Sequence, residues 1–393
     1  MGQEKNMMNS LQLDYRIVDT FEDLQRVAEG FETQRSVAVD LEADSMYHFQ
    51  ERVCLIQMAS RNLSVVIDPL KIGDLSPLRS VFENPRIQKI FHGADYDVRS
   101  LYRDFSFNIN QMFDTQVACR FLGMRQTGLD AVLQERFGIR LDKKYQKKDW
   151  SRRPLPPEMI EYAAKDVMYL HPLSKILQAE LKEKNRLSWV QEECQSLSRV
   201  RPAENGGAPL FLRFKGSGRL NRRHLAILEA LLQFRRHIAE TLDRPLFKVI
   251  GNHALMRIAV EKPASLKELE DSRALSPGQF RMYGRGIVEA VCRALTAPDA
   301  ELPVYPRTKT APVSPEIALR VKTLKSRIEN LAESLELDAS VLCPRALIGT
   351  IATANPVNIR SLKALPDLKN WQRKTFGHEI VTVLNDLKGK NKR

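Results

Sequence analysis

The chain has 393 residues, 43% of them hydrophobic and 28% charged. That is enough to bury more than one core and excludes a disordered, collagenous or small disulfide-held protein. Basic residues outnumber acidic ones 61 to 48, a formal net charge of +13, and no uncharged run approaches the roughly 20 residues that cross a bilayer. A soluble protein is expected. The segment MGQEKNMMNS has no apolar core of a signal peptide, and Asn6 stands where myristoylation wants Ser or Thr, so the expected compartment is the cytoplasm. Cys54, Cys119, Cys194, Cys292 and Cys343 are far apart and never form a CxxC pair, which reads as buried free thiols rather than a disulfide or zinc framework. The charge is uneven: residues 1–200 carry 28 basic and 29 acidic side chains, residues 201–393 carry 33 and 19. A basic half tethered to a near-neutral one points to a polyanion grip beside a site with other business, and nucleic acid is the commonest such polyanion.

Taken in order, three strands come first: SVAVDLEA (36–43), RVCLIQMAS (52–60) and LSVVIDPL (63–70), β-branched and joined by short polar connections. Then strand and helix alternate, with QKIFHG (88–93) as a strand, DVRSLYRDF as a helix, QMFDT as a short strand and LDAVLQERFG (129–138) as a helix. This describes an α/β domain with a mixed sheet. Pro-rich and small-residue breaks at 201–209 and 297–316 separate it from two helical stretches. Those two resemble each other: Ala239-Glu240-Thr241-Leu242 is echoed by Ala332-Glu333-Ser334-Leu335, Ala254-Leu255 by Ala346-Leu347 and Ile258-Ala259 by Ile351-Ala352, at offsets of 93, 92 and 93. Ser265-Leu266-Lys267 matches Ser361-Leu362-Lys363 and Tyr283-Gly284 matches Phe376-Gly377, at 96 and 93, as expected of a tandem duplication.

The chemistry lies in carboxylates. Alternation along VAVDLEA puts Val37, Val39 and Leu41 on one face and Ala38, Asp40 and Glu42 on the other, and two like charges side by side on a half-buried strand are destabilising unless a cation neutralises them or the strand end faces water. After QKIFHG, Asp95 reads as a helix N-cap, with Asp97 two residues on in the same first turn, where carboxylates suit the helix dipole. In EYAAKDVMYL (161–170), Tyr162 and Asp166 stand at i, i+4 on one face. Asp40, Glu42, Asp97 and Asp166 together make a hard oxygen set suited to Mg²⁺ or Mn²⁺, without a competing His or Cys cluster. Two such ions can clamp a phosphodiester displacement, with Tyr162 orienting the attacking water rather than serving as a free base.

The order Asp-x-Glu, HGADYD, Tyr-x-x-x-Asp resembles the three motifs of the DEDD superfamily of 3′→5′ exonucleases in the tyrosine variant. Where the histidine variant has His, five residues before the last Asp, this chain has Glu161. The spacings from Asp40 to Asp97 (57) and from Asp97 to Asp166 (69) are similar to those of ribonuclease D and its relatives, as are ERVCLIQMAS, FDTQVACRFLG and KKDWSRRPLPPEMIEYAAKDVMYL. The helical repeats resemble HRDC domains. The resemblance implies a ribonuclease H-like exonuclease domain over 13–200, followed by all-α HRDC domains over 216–297 and 314–391. It implies a hydrolase releasing 5′-mononucleotides from RNA 3′ ends, as in maturation of transfer RNA precursors and other small structured RNAs. By the same resemblance Asp40, Glu42, Asp97 and Asp166 hold two divalent cations, Asp40 bridges both, and Tyr162 holds the nucleophilic water. No nucleotide cofactor and no membrane is implied as partner. The rival readings are an exonuclease acting on DNA and a non-catalytic RNA-binding protein that keeps the fold.

KKYQKKDWSRR (143–153) mixes six basic residues with Tyr145 and Trp150. That suits single-stranded RNA, and equally a loop whose Trp150 packs inward. His92 and Gln57 neighbour the catalytic strands and could face substrate, but such residues are more often structural hydrogen-bonders, and neither is chosen as a site residue. Arg222, Arg223, Arg235, Arg236, Lys248, Arg257, Arg281 and Arg285 are candidate phosphate contacts in the first repeat, and Lys322, Lys325, Arg327, Lys363, Lys369, Arg373 and Lys374 in the second. Two motifs fail: Gly123 and Gly128 have phosphate-loop spacing but precede Leu129-Asp130, and His378-Glu379 lacks a second His because Thr382 stands there.

Overall fold

The computed structural model describes residues 14–203, 206–306 and 314–390. The segment MGQEKNMMNS, the domain limits at 13 and 391, and part of each Pro-rich break lie outside the described residues. Among those described, no helix is long and apolar enough to cross a membrane.

Six strands form one mixed sheet in the order β1-β4-β3-β2-β5-β6: β1 Arg16–Val18, β2 Ser36–Ala43, β3 Val53–Ala59, β4 Ser64–Ile67, β5 Gln88–Phe91 and β6 Met112–Asp114. β1 runs parallel to β4, β5 to β2 and β6 to β5, while β3 and β4 are antiparallel. The helices of this region are α1 Phe21–Glu32, α2 Asp95–Phe105, α3 Thr115–Phe121, α4 Leu129–Phe137, α5 Pro157–Met168, α6 Leu170–Glu183 and α7 Leu187–Leu197. Thr20 caps α1 by accepting from the Asp23 N–H, and Pro156-Pro157 opens α5 where the missing N–H costs nothing. The strand LSVVIDPL ends early at Ile67, because Asp68 caps a helical turn over Pro69–Ile72. The N-cap expected at Asp95 falls instead on Ala94, without a side-chain bond. Asp95 is the first helical residue and pairs with Arg99 at 2.7 Å.

β2 alternates as its residues dictate. Val37, Val39 and Leu41 enter the main core with Ile56, Met58 and Phe91, while Ala38 packs on the other face with Ile90, Val167 and Leu170.

The helical half repeats at one offset. The first set is α8 Arg222–Thr241, a turn at Leu246–Val249, α9 Asn252–Glu261, α10 Leu266–Asp271 and α11 Pro277–Thr296. The second is α12 Pro315–Ser334, a turn at Ala339–Leu342, α13 Arg345–Ala354 and α14 Asn370–Lys390. Every one of these second-set elements begins 93 residues after its counterpart. The left-handed residues repeat as well: Asp243 and Glu336 (φ 45° and 53°), and Lys262 and Asn355 (φ 54° and 46°). The common register corrects the 92-residue pairing: Ala254 corresponds to Leu347. α10 has only a 3₁₀ turn at Ser361–Ala364 in its place.

The chain compacts into two units. One holds the described residues of 1–42, 53–202 and 310–393, the other 43–52 and 203–309. In the first, the second helical set shares the core of the α/β region: Trp371 stacks on Trp189 at 4.8 Å, and Glu192 accepts the N–H groups of Asn370 (2.7 Å) and Trp371 (2.9 Å) at the start of α14. A carboxylate there answers the positive end of the helix. The second unit has its own core around Leu225, Leu228, Ile258, Tyr283 and Ile287, and its long helix α11 opens with a capping box of Ser276 and Gln279.

Candidate active site

Asp40 and Glu42 project from β2 on the face covered by α5. Asp97 lies in the first turn of α2, which follows β5, the neighbour of β2. Tyr162 and Asp166 lie one turn apart on α5, and Tyr162 is nearly buried among Leu55, Val66, Trp150 and Met159. Asp97 is 7% exposed.

These groups act on one another's charge. Burial pushes the Asp40 carboxyl up to about 7. Glu42 is held well above the ordinary carboxylate range by burial, then by Asp40, Asp166 and Asp97. Asp97 is raised by burial, Asp40 and Asp114, and Asp166 by burial and Asp40. Tyr162 is raised by burial, then by Asp166, Glu42 and Asp40, so its phenol stays neutral. Among the described residues, no Lys or Arg is among the groups that set these four carboxylates. Buried like charges without a counter-ion are costly, and a hard divalent cation is the partner such a donor set fits. As placed, no three His, Cys, Asp or Glu side chains among the described residues are arranged to hold an ion.

Asp114 is a supporting residue that the motifs did not reveal. Fully buried at the end of β6, it accepts the N–H groups of Gly93 (3.1 Å), Ala94 (2.7 Å), Gln116 (2.7 Å) and Val117 (3.1 Å). It therefore caps α3 and fixes the turn that delivers Asp97. The only sequence signal is an Asp before Thr115, a common capping pattern. His92 is structural, its Nδ1 2.8 Å from Thr115 Oγ1. Gln57 is not the structural hydrogen-bonder expected. It is fully buried opposite Val66, and its carboxamide has no partner among the described residues.

The KKYQKKDWSRR segment resolves toward packing. Trp150 is 1% exposed and lies beside Tyr162, 6.1 Å between ring centroids. Tyr145 meets Tyr162 edge-on at 5.7 Å, and Arg153 pairs with Asp68 at 2.6 Å. Several helical cations are likewise structural. Arg223 binds the carbonyls of Ala294, Leu295 and Ala297, buried Arg235 binds Ile250 O and Asn252, and Lys369 pairs with Glu193. Arg236, Arg281, Arg285, Lys322, Lys363 and Lys374 stay exposed. Gly123, of the failed phosphate-loop spacing, has another reason to be glycine. Its φ is +85°, and a Cβ would sit 2.3 Å from the Glu336 carbonyl.

Residues 15–182 match the 3′-5′ exonuclease family model and residues 224–291 the HRDC domain model. The chain is 32% identical to ribonuclease D of Jannaschia sp. over 94% of this chain and 95% of that one. With ribonuclease D of Gluconacetobacter diazotrophicus it shares 31% over 93% and 92%. The chain belongs to the ribonuclease D family. The crystal structure of Escherichia coli RNase D, an exoribonuclease involved in structured RNA processing, superposes with a TM-score of 0.73 at 26% identity, covering 95% of this chain and 99% of that one. As a member of the ribonuclease D family the chain is a hydrolase, a metal-dependent 3′→5′ exoribonuclease.

Proposed function

We propose that the chain trims the unpaired 3′ ends of structured RNAs, transfer RNA precursors among them, releasing 5′-mononucleotides with two divalent cations held by Asp40, Glu42, Asp97 and Asp166. The observation that carries this reading is the convergence of four carboxylates, Asp97 buried and Asp40, Glu42 and Asp166 partly so, with no Lys or Arg of the described residues among the groups that act on them. Bound there, Mg²⁺ or Mn²⁺ would supply Lewis-acid activation of water and neutralise charge on the phosphate. The protein's own part is placement. Asp40, which raises the other three carboxylates, would hold an ion together with them, and Asp97 is delivered by the Asp114-braced turn. Tyr162, a neutral phenol at operating pH, orients the attacking water by hydrogen bonding and takes no proton from it. The helical repeats supply grip. The region 314–391 acts as a second HRDC domain beside the one at 216–297, and the exposed Arg236, Arg281 and Arg285 contact phosphates without reading sequence.

A 5′-labelled RNA with an unpaired 3′ tail, followed in time with Mg²⁺, with Mn²⁺ and with chelator, tests the reading. A metal-dependent ladder that shortens one nucleotide at a time and halts at the duplex is expected. Intact RNA under all conditions despite a gel shift, or faster loss of a matched DNA, would overturn it.

A further inference from the structure

The compact unit that holds the first helical set has a cleft of its own, about 500 Å³ in volume, a size usual for ligand sites. Every residue that lines it belongs to this one unit. Phe49 comes from the segment 43–52, Arg213 and Phe214 from the end of the 3₁₀ turn Leu210–Arg213, Arg235 and Arg236 from α8, and Leu246 from the head of the turn Leu246–Val249.

The aromatic wall is anchored by the unit's own core. Phe49 and Phe214 both pack against it, and Asp243 Oδ1 accepts the Phe49 N–H at 3.0 Å. Both rings nevertheless stay only half-buried. The cationic wall is unanswered. Arg235 is 7% exposed, and its Nη1 donates to Ile250 O at 3.0 Å and to Asn252 Oδ1 at 2.7 Å. Its buried Nε has no partner among the described residues, and no carboxylate is among the groups that act on its charge. Arg236, the next residue, is exposed and forms no ion pair among the described residues. No Asp or Glu of the described residues lines the cleft. A buried guanidinium without an anion is costly. Three of them on one cavity, beside two open rings, fit a ligand that is anionic at one end and flat and apolar at the other. A nucleotide of single-stranded RNA is such a ligand, since its phosphate meets a cation while its base stacks on an aromatic face.

We propose that this cleft binds one unpaired nucleotide of the RNA, its phosphate against Arg213 and Arg236 and its base against the Phe49 and Phe214 rings. Arg235, held in place through Nη1, adds positive potential at the floor. The site deepens the grip assigned above to the helical repeats and rests on that reading. Phosphate contacts hold any strand, whereas a base on a ring requires that the base be unpaired, and every base has a face to offer. The cleft therefore selects single strands without reading their sequence.

The test uses the full chain in chelator, with filter binding of an unpaired RNA oligomer and of the same oligomer with abasic riboses. Phe214→Ala should weaken binding of the oligomer about fivefold and leave the salt slope unchanged, because a ring neutralises no phosphate. Phe214→Tyr, which keeps the ring, should bind as the unaltered chain does. The abasic oligomer should bind the unaltered chain and Phe214→Ala alike, since the substitution then removes a contact already missing. Leu246→Glu sets an acid in the cleft at an exposed position in the first turn of a helix, where a carboxylate is tolerated. It should weaken binding about fivefold and lower the salt slope by about 0.7, with the fold left intact. Val260→Glu, an equal change of charge at an exposed position outside the cleft, should stay within about twofold. Unchanged binding of the oligomer in both Phe214→Ala and Leu246→Glu, with an Arg281→Ala, Arg285→Ala double variant weakened, would overturn the cleft and leave the grip standing. An equal loss of oligomer and abasic oligomer in Phe214→Ala would overturn the contact with the base. Unchanged binding in the double variant as well would remove the grip itself, and the proposal with it.

Discussion

The two faces of the sheet bury polar groups on opposite terms. On the face of Val37, Val39 and Leu41 the register places Lys89 beside Val37. Lys89 is fully buried, and its Nζ donates to Asn84 O at 2.7 Å. Burial lowers it to about 7, so it can stay in the core largely as a neutral amine. On the face of Ala38, Asp40 and Glu42, Asp40 raises Glu42, Asp97 and Asp166, and no Lys or Arg of the described residues is among the groups that act on these carboxylates. One face has settled its polar group within the fold, whereas the other gathers carboxylates that no cationic side chain of the described residues answers. Uncompensated burial of this kind is a mark of function, since stability alone would select against it.

Activity should separate the two faces most. Asp40→Asn should lower turnover by about a thousandfold or more while RNA affinity in chelator stays within about twofold. Loss of both together, in single-turnover and filter-binding assays, would merge chemistry with grip. On the other face, Val39→Ala should cost about 2 kcal/mol by denaturant melting, with turnover per folded molecule retained. Without metal, Asp40→Asn should be more stable than the unaltered chain by about 1–2 kcal/mol, an advantage that saturating Mg²⁺ cancels. Equal stability would mean that the carboxylate face is not strained.

Lys89 extends the contrast to pH. Its folded pKa lies below the unfolded one, so between about pH 7 and 10 the unfolded chain binds more protons and stability rises with pH. Below pH 7 both states are protonated and the penalty is constant. Lys89→Met should gain about 1–2 kcal/mol at pH 7 and flatten that slope without touching turnover; an unchanged slope in melts across this range would place the amine in water. The smallest effect is expected far from the sheet. Replacing Arg236, Arg281 and Arg285 with Ala should weaken RNA binding about fivefold and reduce the salt slope by about 0.7 for each phosphate no longer neutralised, with turnover at saturating RNA unchanged.

Much of this was legible in the residues. The bounds of β2 and the opposed faces of Val39 and Asp40 follow from alternation, because a strand's side chains alternate whatever surrounds it. The repeat could be seen in Ala239-Glu240 and Ala332-Glu333, although the 92-residue pairing slipped by one, since similar apolar pairs recur along any amphipathic helix. Trp150 could not be placed: cations interleaved with aromatics describe an RNA platform and a packed loop alike, and only its packing beside Tyr162 decides. Arg223 and Arg235 read as phosphate ligands because charge is visible in a sequence, whereas the carbonyls that claim them are not.

The strands β2 to β6, the helices α2, α4 and α5, the repeat of the helical half and the motifs that hold the four carboxylates with Tyr162 were legible in the sequence alone, because these depend on residue type and local spacing. Tertiary structure alone decided that Asp114 braces the turn before Asp97, that Gly123 makes room for the Glu336 carbonyl, and that the second helical set shares the core of the sheet. Each of these joins residues far apart in the chain through a backbone group or a close approach, and such pairings leave no periodicity to read.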